Sequence, residues 1–261
     1  MITLDTLKNF CDKSKDPLKK RAWSAFQTIG LPTEKWEAFR YFPLKALYST
    51  HFNFATKKQA LEEKKEQRAV AVFIDGRYCH TSSYFPNAII AKPLKEAFGL
   101  YGPLLKKRFE KTVANESNPF VFLNSAFYEE GLFLYLAPHQ KLKTPLELIF
   151  IQTDGAIATS PKIDLFLGKG AELTLLSSYI QKEKIEAWSN SAMHITLEEG
   201  SKLIHVNDTS GVTTGVSLQS LRAELKKESI LENFVFSSSA SSLSHDLQVS
   251  LIGESAEAKL N

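Results

Sequence analysis

Leu167-Gly168-Lys169-Gly170-Ala171-Glu172-Leu173 is the first of four related phrases in the second half of this 261-residue sequence. Leu197-Glu198-Glu199-Gly200-Ser201-Lys202-Leu203 follows 30 residues later, Leu225-Lys226-Lys227-Glu228-Ser229-Ile230-Leu231 after a further 28, and Ile252-Gly253-Glu254-Ser255-Ala256-Glu257-Ala258 after 27 more. Each is a polar corner between alternating apolar and polar residues, which is the pattern of two short strands meeting at a turn. A period of this size marks a solenoid. One such unit cannot bury its own apolar face, so neighbouring units must stack. An antiparallel sandwich would need hairpin turns but no recurring phrase. The expected fold is mainly β, a β-helix with something attached.

Working outward, the strand candidates before the first phrase are Phe133–Leu136, Leu146–Ile151 and Ile163–Leu167. After it come Met193–Leu197, Leu203–Val206, Ser217–Leu225, Leu231–Phe236 and Leu247–Ile252. Two strands per coil fit this spacing, and the signal is mostly β from Phe120 onward. The first part of the chain has another period. Asp16-Pro17 predicts an N-cap with proline at the first helical position, and Leu18, Ala22, Phe26 and Ile29 then recur at helical spacing up to Gly30. Thr33 is placed to cap a second short helix through Glu34–Phe39, and Leu4, Leu7 and Phe10 suggest an earlier helical turn. Residues 57–68 carry eight charges in twelve positions, a solvated helix or linker. Ala69–Ile74 followed by Asp75-Gly76 predicts a strand and tight turn. Pro93 starts another helix, with Leu94, Ala97, Phe98 and Tyr101 on one face and a break at Gly102-Pro103. The division expected is residues 1–115 as a helical region with a short β element, and 116–261 as the β-helix core. Ala256–Asn261 is strand-like with no cap after it, so the open end is expected to self-associate.

Composition narrows the class. A net charge of +3 gives no general drive toward nucleic acid or anionic membrane. No apolar run approaches the roughly 18 residues of a membrane span. Met1–Asp5 lacks the basic and apolar regions of a signal peptide. Cys11 and Cys79 lie far apart in unlike contexts, which suits reduced thiols in a cytoplasmic protein.

Motifs for chemistry are sparse. Gly168-Lys169-Gly170 lacks the spacing of a phosphate-binding loop, and there is no Gly-x-Ser-x-Gly, His-Glu-x-x-His or Cys-x-x-Cys. Cys79-His80 has no ligand neighbour at a recognised metal spacing. The β-half histidines are His139, His194, His205 and His245. His194 and His205, eleven residues apart, could meet on adjacent strands and hold a metal with Asp208; the plainer reading is ordinary sheet or surface histidines. His245-Asp246 with Ser237-Ser238-Ser239 would make a relay, but the serine run reads better as a polar corner. Glu198, Glu199 and Glu254 fall in turns, a solubility pattern and not a carboxylate pair for glycoside chemistry. No catalytic, cofactor-binding or metal-ligating residue is assigned. The rival readings are a β-helix enzyme acting on carbohydrate or acyl groups, and a structural solenoid of the adhesin type.

Gly30-Leu31-Pro32-Thr33-Glu34-Lys35-Trp36-Glu37-Ala38-Phe39-Arg40-Tyr41-Phe42-Pro43-Leu44 resembles the N-terminal signature of the SufB/SufD family, on the SufD side. Phe73-Ile74-Asp75-Gly76-Arg77-Tyr78 is similar to that family's strand and Asp-Gly-Arg element. Leu123-Asn124-Ser125-Ala126-Phe127, Gly131 and Pro138 resemble its segment entering the β-helix. The recurring Gly-Lys-Gly-Ala-Glu-Leu phrase is shared as well. The resemblance implies a right-handed parallel β-helix after an N-terminal helical region. It also implies a non-enzymatic scaffold role in SUF iron–sulfur cluster assembly. A SufB-like paralogue would pair through the β-helix, a SufC-like ATPase would dock on a C-terminal helical domain, and a transient cluster would form at the SufB–SufD interface. Family members run well beyond 261 residues. The resemblance therefore implies that the last coils, the docking helices and a Cys-Ser-His-Gly-like segment are missing here. The proposed ligand of the family is the histidine of that segment, and no position of this sequence matches it.

Overall fold

The structure, a computed structural model, describes residues 16–49, 52–54, 68–128, 130–153, 157–181, 187–238 and 242–261. Leu4, Leu7, Phe10, Cys11, residues 57–67 and Ser239 lie outside the described residues. Helix α1 (Pro17–Ile29) begins where the sequence predicts, with Asp16 Oδ1 accepting from Leu18 N at 2.9 Å. The short helix expected over 34–39 is only a 3-10 turn, Glu37–Phe39. Thr33 makes a weak contact of 3.4 Å to Lys35 N, which is too poor a cap to start an α-helix. Helix α2 (Leu44–Ser49) and strand β1 (Asn53–Phe54) follow.

Strand β2 (Val70–Ile74) turns through Asp75 (φ 48°) and Gly76 (φ 79°) into β3 (Arg77–Tyr84). Two successive left-handed residues are what a two-residue hairpin requires. Strand β4 (Ile89–Pro93) leads into α3 (Leu94–Asn115), continuous but kinked at Tyr101, ahead of Pro103.

Helix α4 (Pro119–Phe127) corrects the expectation of β structure from Phe120 onward. All nine residues are buried, so the run has no polar face, and periodicity alone cannot tell such a helix from a buried strand. The local signal is at its start. Asn118 Oδ1 accepts from Phe120 N at 2.9 Å, and Pro119 has the φ a first helical turn needs.

The remainder is a parallel β-helix, as the recurring phrase predicts. Its strands are β5 (Leu132–Leu136), β6 (Leu146–Gln152), β7 (Ile157–Thr159), β8 (Lys162–Leu167), β9 (Glu172–Gln181) and β10 (Trp188–Leu197). Then come β11 (Lys202–Gly211), β12 (Val216–Leu225), β13 (Ile230–Phe236), β14 (Ser242–Leu251) and β15 (Glu257–Leu260). Among the described residues they build two sheets. The first has β5, β8, β10, β12 and β14 in parallel succession; the second has β6, β9, β11, β13 and β15. Strand β4 extends the first sheet from β5, and the β2–β3 hairpin extends the second from β6. Both sheets thus combine strands from before and after residue 116.

Each phrase is the corner between the sheets, and the corners stack. His139, Gly170, Gly200, Glu228 and Ser255 all have positive φ, between 55° and 67°. Backbone N–H groups of one corner donate to the next: His139 to Lys169, Gly170 to Glu199, Gly200 to Lys227 and Glu228 to Glu254. At 170 a Cβ would lie 2.8 Å from His139 Nδ1, so a side chain there would require the exposed His139 ring to move. The buried small residue after each corner, Ala171, Ser201 or Ser229, closes the turn by donating its N–H to the residue three back.

The helices cover the outer face of the first sheet. Trp23, Phe26, Phe39 and Phe120 pack on Ala158, Trp188, Val216 and Leu218, which point outward from β7, β10 and β12. Phe120 sits 5.4 Å from Phe39 and 6.4 Å from Trp188, ring centre to ring centre. Burying such rings stabilises the helix layer by roughly 2–3 kcal/mol each.

Candidate functional site

Along each coil strand the inward positions change character. Near the corner they are apolar: Leu173 and Leu175 on β9, Ile195 and Leu197 on β10, Leu203 on β11. Farther away the same face carries Ser177, Ser191, His205, Asn207, Gln219 and Asn233, all buried. Half of the coil interior is therefore polar, a costly arrangement unless its groups pair.

His205 is the centre of that half. Its Nδ1 lies 2.8 Å from Asn233 Oδ1 on β13, and its Nε2 lies 2.9 Å from Ser177 Oγ on β9. A carbonyl oxygen only accepts, so Nδ1 carries the proton and Nε2 accepts from the serine hydroxyl. Burial pushes the His205 pKa down to about 4, against the opposing effect of the Asn233 bond. The ring is neutral at pH 7 with both nitrogens engaged. Asn207 Nδ2 donates to Gln219 Oε1 at 2.7 Å, linking the two sheets across the interior. Beside them Tyr179, Ser191, Asn207 and His245 line a cavity of about 20 Å³, the size of a single water site.

A second polar cluster lies outside the coil, where α3 crosses the first sheet. Arg108 Nη1 donates to Asp164 Oδ1 on β8 at 2.6 Å and to the His194 carbonyl on β10 at 3.3 Å, while Nη2 donates to Thr196 Oγ1. The guanidinium rests 3.8 Å from the Phe166 ring centre. Lys162 on β8 is 6 % exposed and donates to Ser125 Oγ of α4 at 2.9 Å. Burial lowers its pKa to about 8, with Asp164 opposing the shift. Burial also drives His194 well below the usual imidazole range, and the Lys162, Arg108 and Arg222 charges add to this. Next along the sheet, Arg222 on β12 pairs with Glu116 at 2.8 Å and Asp246 on β14 at 2.5 Å. Beside that pair runs a groove of about 230 Å³ lined by Arg108, Lys111, His194, Arg222, Glu224 and Gln248.

The structure separates the histidines considered as a metal pair. His194 points outward from the first sheet to Thr112 at 3.5 Å; His205 points into the coil from the second. Asp208, three positions after His205, is on the opposite face of β11 and accepts from Ser210 N. Strand alternation forbids that trio. The same parity divides His245, facing inward, from Asp246, facing Arg222, so no relay forms with the exposed Ser237 and Ser238. His139 serves the corner stack. Cys79 is buried with its thiol 3.3 Å from Ser82 Oγ, while His80 beside it is exposed. Glu198 and Glu199 pair with Lys226 and Lys169 on neighbouring corners at 2.6 and 3.1 Å. Among the described residues no group of three or more His, Cys, Asp or Glu is gathered to hold a metal ion, and no helix is long and apolar enough to cross a membrane.

Sequence reasoning did not single out Arg108, Lys162 or Asp164. The available signal was that Lys162 and Asp164 alternate with apolar residues on a strand lying under an apolar helix layer, where charges must pair.

Comparison with known proteins agrees with this architecture. The SufBD protein N-terminal region matches residues 5–148, and the SUF system FeS cluster assembly SufBD core domain matches residues 150–261. An iron–sulfur cluster assembly SufBD family protein of Pyrococcus horikoshii is 27 % identical over 90 residues, 34 % of this chain and 20 % of that protein. The chain thus aligns with about a fifth of that relative's length. With the N-terminal and core regions in order along nearly the whole sequence, and a parallel β-helix in the core, this chain belongs to the SufBD family of the SUF iron–sulfur cluster assembly system.

Proposed function

We propose that this protein is a SufD-like, non-catalytic scaffold in the cytoplasm, pairing through its β-helix with a SufB-like paralogue and working with a SufC-like ATPase. The observation that carries the reading is the tandem of family regions over 5–148 and 150–261. The SufD-type phrase Gly30–Leu44 favours SufD over SufB. The iron–sulfur cluster is cargo in this reading, held transiently where the two paralogues meet and not by a ligand set of this chain alone. The interior is consistent with that division of labour. His205, the most buried polar ring of the coil, has both nitrogens committed to protein partners, so it braces the scaffold.

The test is anaerobic reconstitution of the SufB-like and SufC-like partners with and without this protein, followed by iron and sulfide analysis. Loss of cluster content when this chain is omitted supports the scaffold role. Equal cluster content with and without it counts against that role.

A further inference from the structure

Between α1, α3, α4 and the first sheet lies a small cavity of about 20 Å³. Its polar lining is Arg108, Thr112, Ser125, Tyr128, Lys162, Asp164 and His194, and the rest is apolar, including Leu18, Leu105 and Phe109. The charges there do not balance. Asp164 has its carboxylate taken by Arg108 at 2.6 Å. Lys162 has one hydrogen bond, to a neutral hydroxyl, and no bonded carboxylate among the described residues. A buried ammonium without a counter-charge is costly. His194, 5 % exposed, leaves Nδ1 without a hydrogen-bond partner, with Asp164 Oδ1 3.8 Å away. Thr112 Oγ1 lies 3.5 Å from Nε2, and in the tautomer in which Nε2 accepts from that hydroxyl, Nδ1 is an N–H donor. The cavity thus presents an ammonium, an imidazole N–H and hydroxyls around a space for one atom-sized guest.

We propose that this cavity binds one compact monovalent anion, of halide or hydrosulfide size, between Lys162 Nζ and His194 Nδ1. Sulfate and phosphate are excluded by volume. The proposal is independent of the scaffold role. The bound anion supplies the charge that Asp164 cannot share and gives His194 its missing acceptor. It also couples to protons. The groups facing Lys162 are Asp164 on its own strand, His194 on β10, Arg108 on α3, Tyr128 after α4 and Lys19 on α1. Among them Lys162 changes charge near pH 8. Anion affinity therefore falls above that pH, approaching tenfold per pH unit.

Bromide is the probe. Crystals of the full chain grown in bromide should give an anomalous peak between Lys162 and His194; water-like density with no anomalous signal there would overturn the proposal. In solution at fixed ionic strength, replacing sulfate by bromide should raise the thermal midpoint saturably. The rise should disappear in Lys162→Met and shrink in Ser125→Ala, which keeps the charge and the fold. An equal rise in wild type and Lys162→Met would equally refute the site. Competition identifies the natural guest: hydrosulfide displacing bromide marks sulfide, and chloride alone displacing it marks a halide.

Discussion

His205 shows how a buried side chain contributes to the acid limit of the coil. Folded, its pKa is about 4; unfolded, it is that of an ordinary histidine, near 6.5. Between those values the unfolded chain holds the extra proton, so stability is full above about pH 6.5 and falls as pH drops toward 4. The difference corresponds to about 3 kcal/mol at the low end of the window. Urea denaturation at pH 7 and pH 4.5 should show a larger acid loss for the wild type than for His205→Gln. Equal losses would mean that the ring is not held neutral. At pH 7 the same substitution is expected to cost about 1–3 kcal/mol, because Ser177 and Asn233 lose well-placed partners. Asp164 is the companion case outside the coil. It is the carboxylate bonded to Arg108 and the negative charge that acts at longer range on Lys162, so Asp164→Asn should cost about 3–5 kcal/mol. Arg108→Met should cost less, because Lys162 can take over the carboxylate. The reverse ranking in chemical denaturation would contradict the charge count given for the cluster.

At the scale of elements, α4 holds the helix layer to the sheet. Asn118 does two things there: Oδ1 caps the helix at Phe120 N, and Nδ2 donates to Asp246 on β14 at 2.6 Å. Asn124, six residues further along, donates to the Pro161 and Asn190 carbonyls, and Asn190 donates back to Phe120. Asn118→Ala should therefore cost about 2 kcal/mol, at the upper end for a cap, and Asn118→Asp less of the cap but all of the Asp246 bond. Thermal midpoints of the two variants test this, and an Asn118→Ala midpoint equal to wild type would rule it out. The elements also show what was legible beforehand. The corners were, because each must place a small residue inward and a left-handed residue outward at the same step. The apolar halves of the strands were too. Their other halves were not: β10, β11 and β14 run to Trp188, Gly211 and Ser242, well past the predicted ends. Those extensions carry Ser191, Asn207 and His245, which hydrophobic alternation scores as loop. Part of the polar interior lies in those extensions, while His205, Gln219 and Asn233 fall inside strands that the sequence does predict. α4 was hidden for another reason, being buried on every side.

On the scale of the molecule, the helices among the described residues cover the first sheet and not the second. The outer face of β11 and β13 shows Ile204, Val206 and Phe234 half-buried beside the charged Lys202, Glu232 and Lys259. A coil with a ladder of stacked corners is a stiff body suited to pairing, and among the described residues its repeat-to-repeat contacts are nearly all between adjacent coils. The family assignment rests on the order of regions along the chain, while the pairing partner is the step from family to function. Co-expression of the tagged full chain with the SufB-like paralogue from the same cell, read by size-exclusion chromatography with light scattering, tests that step most directly. The account predicts one complex containing both chains in equal numbers. Separate elution of the two proteins at micromolar concentration would contradict it.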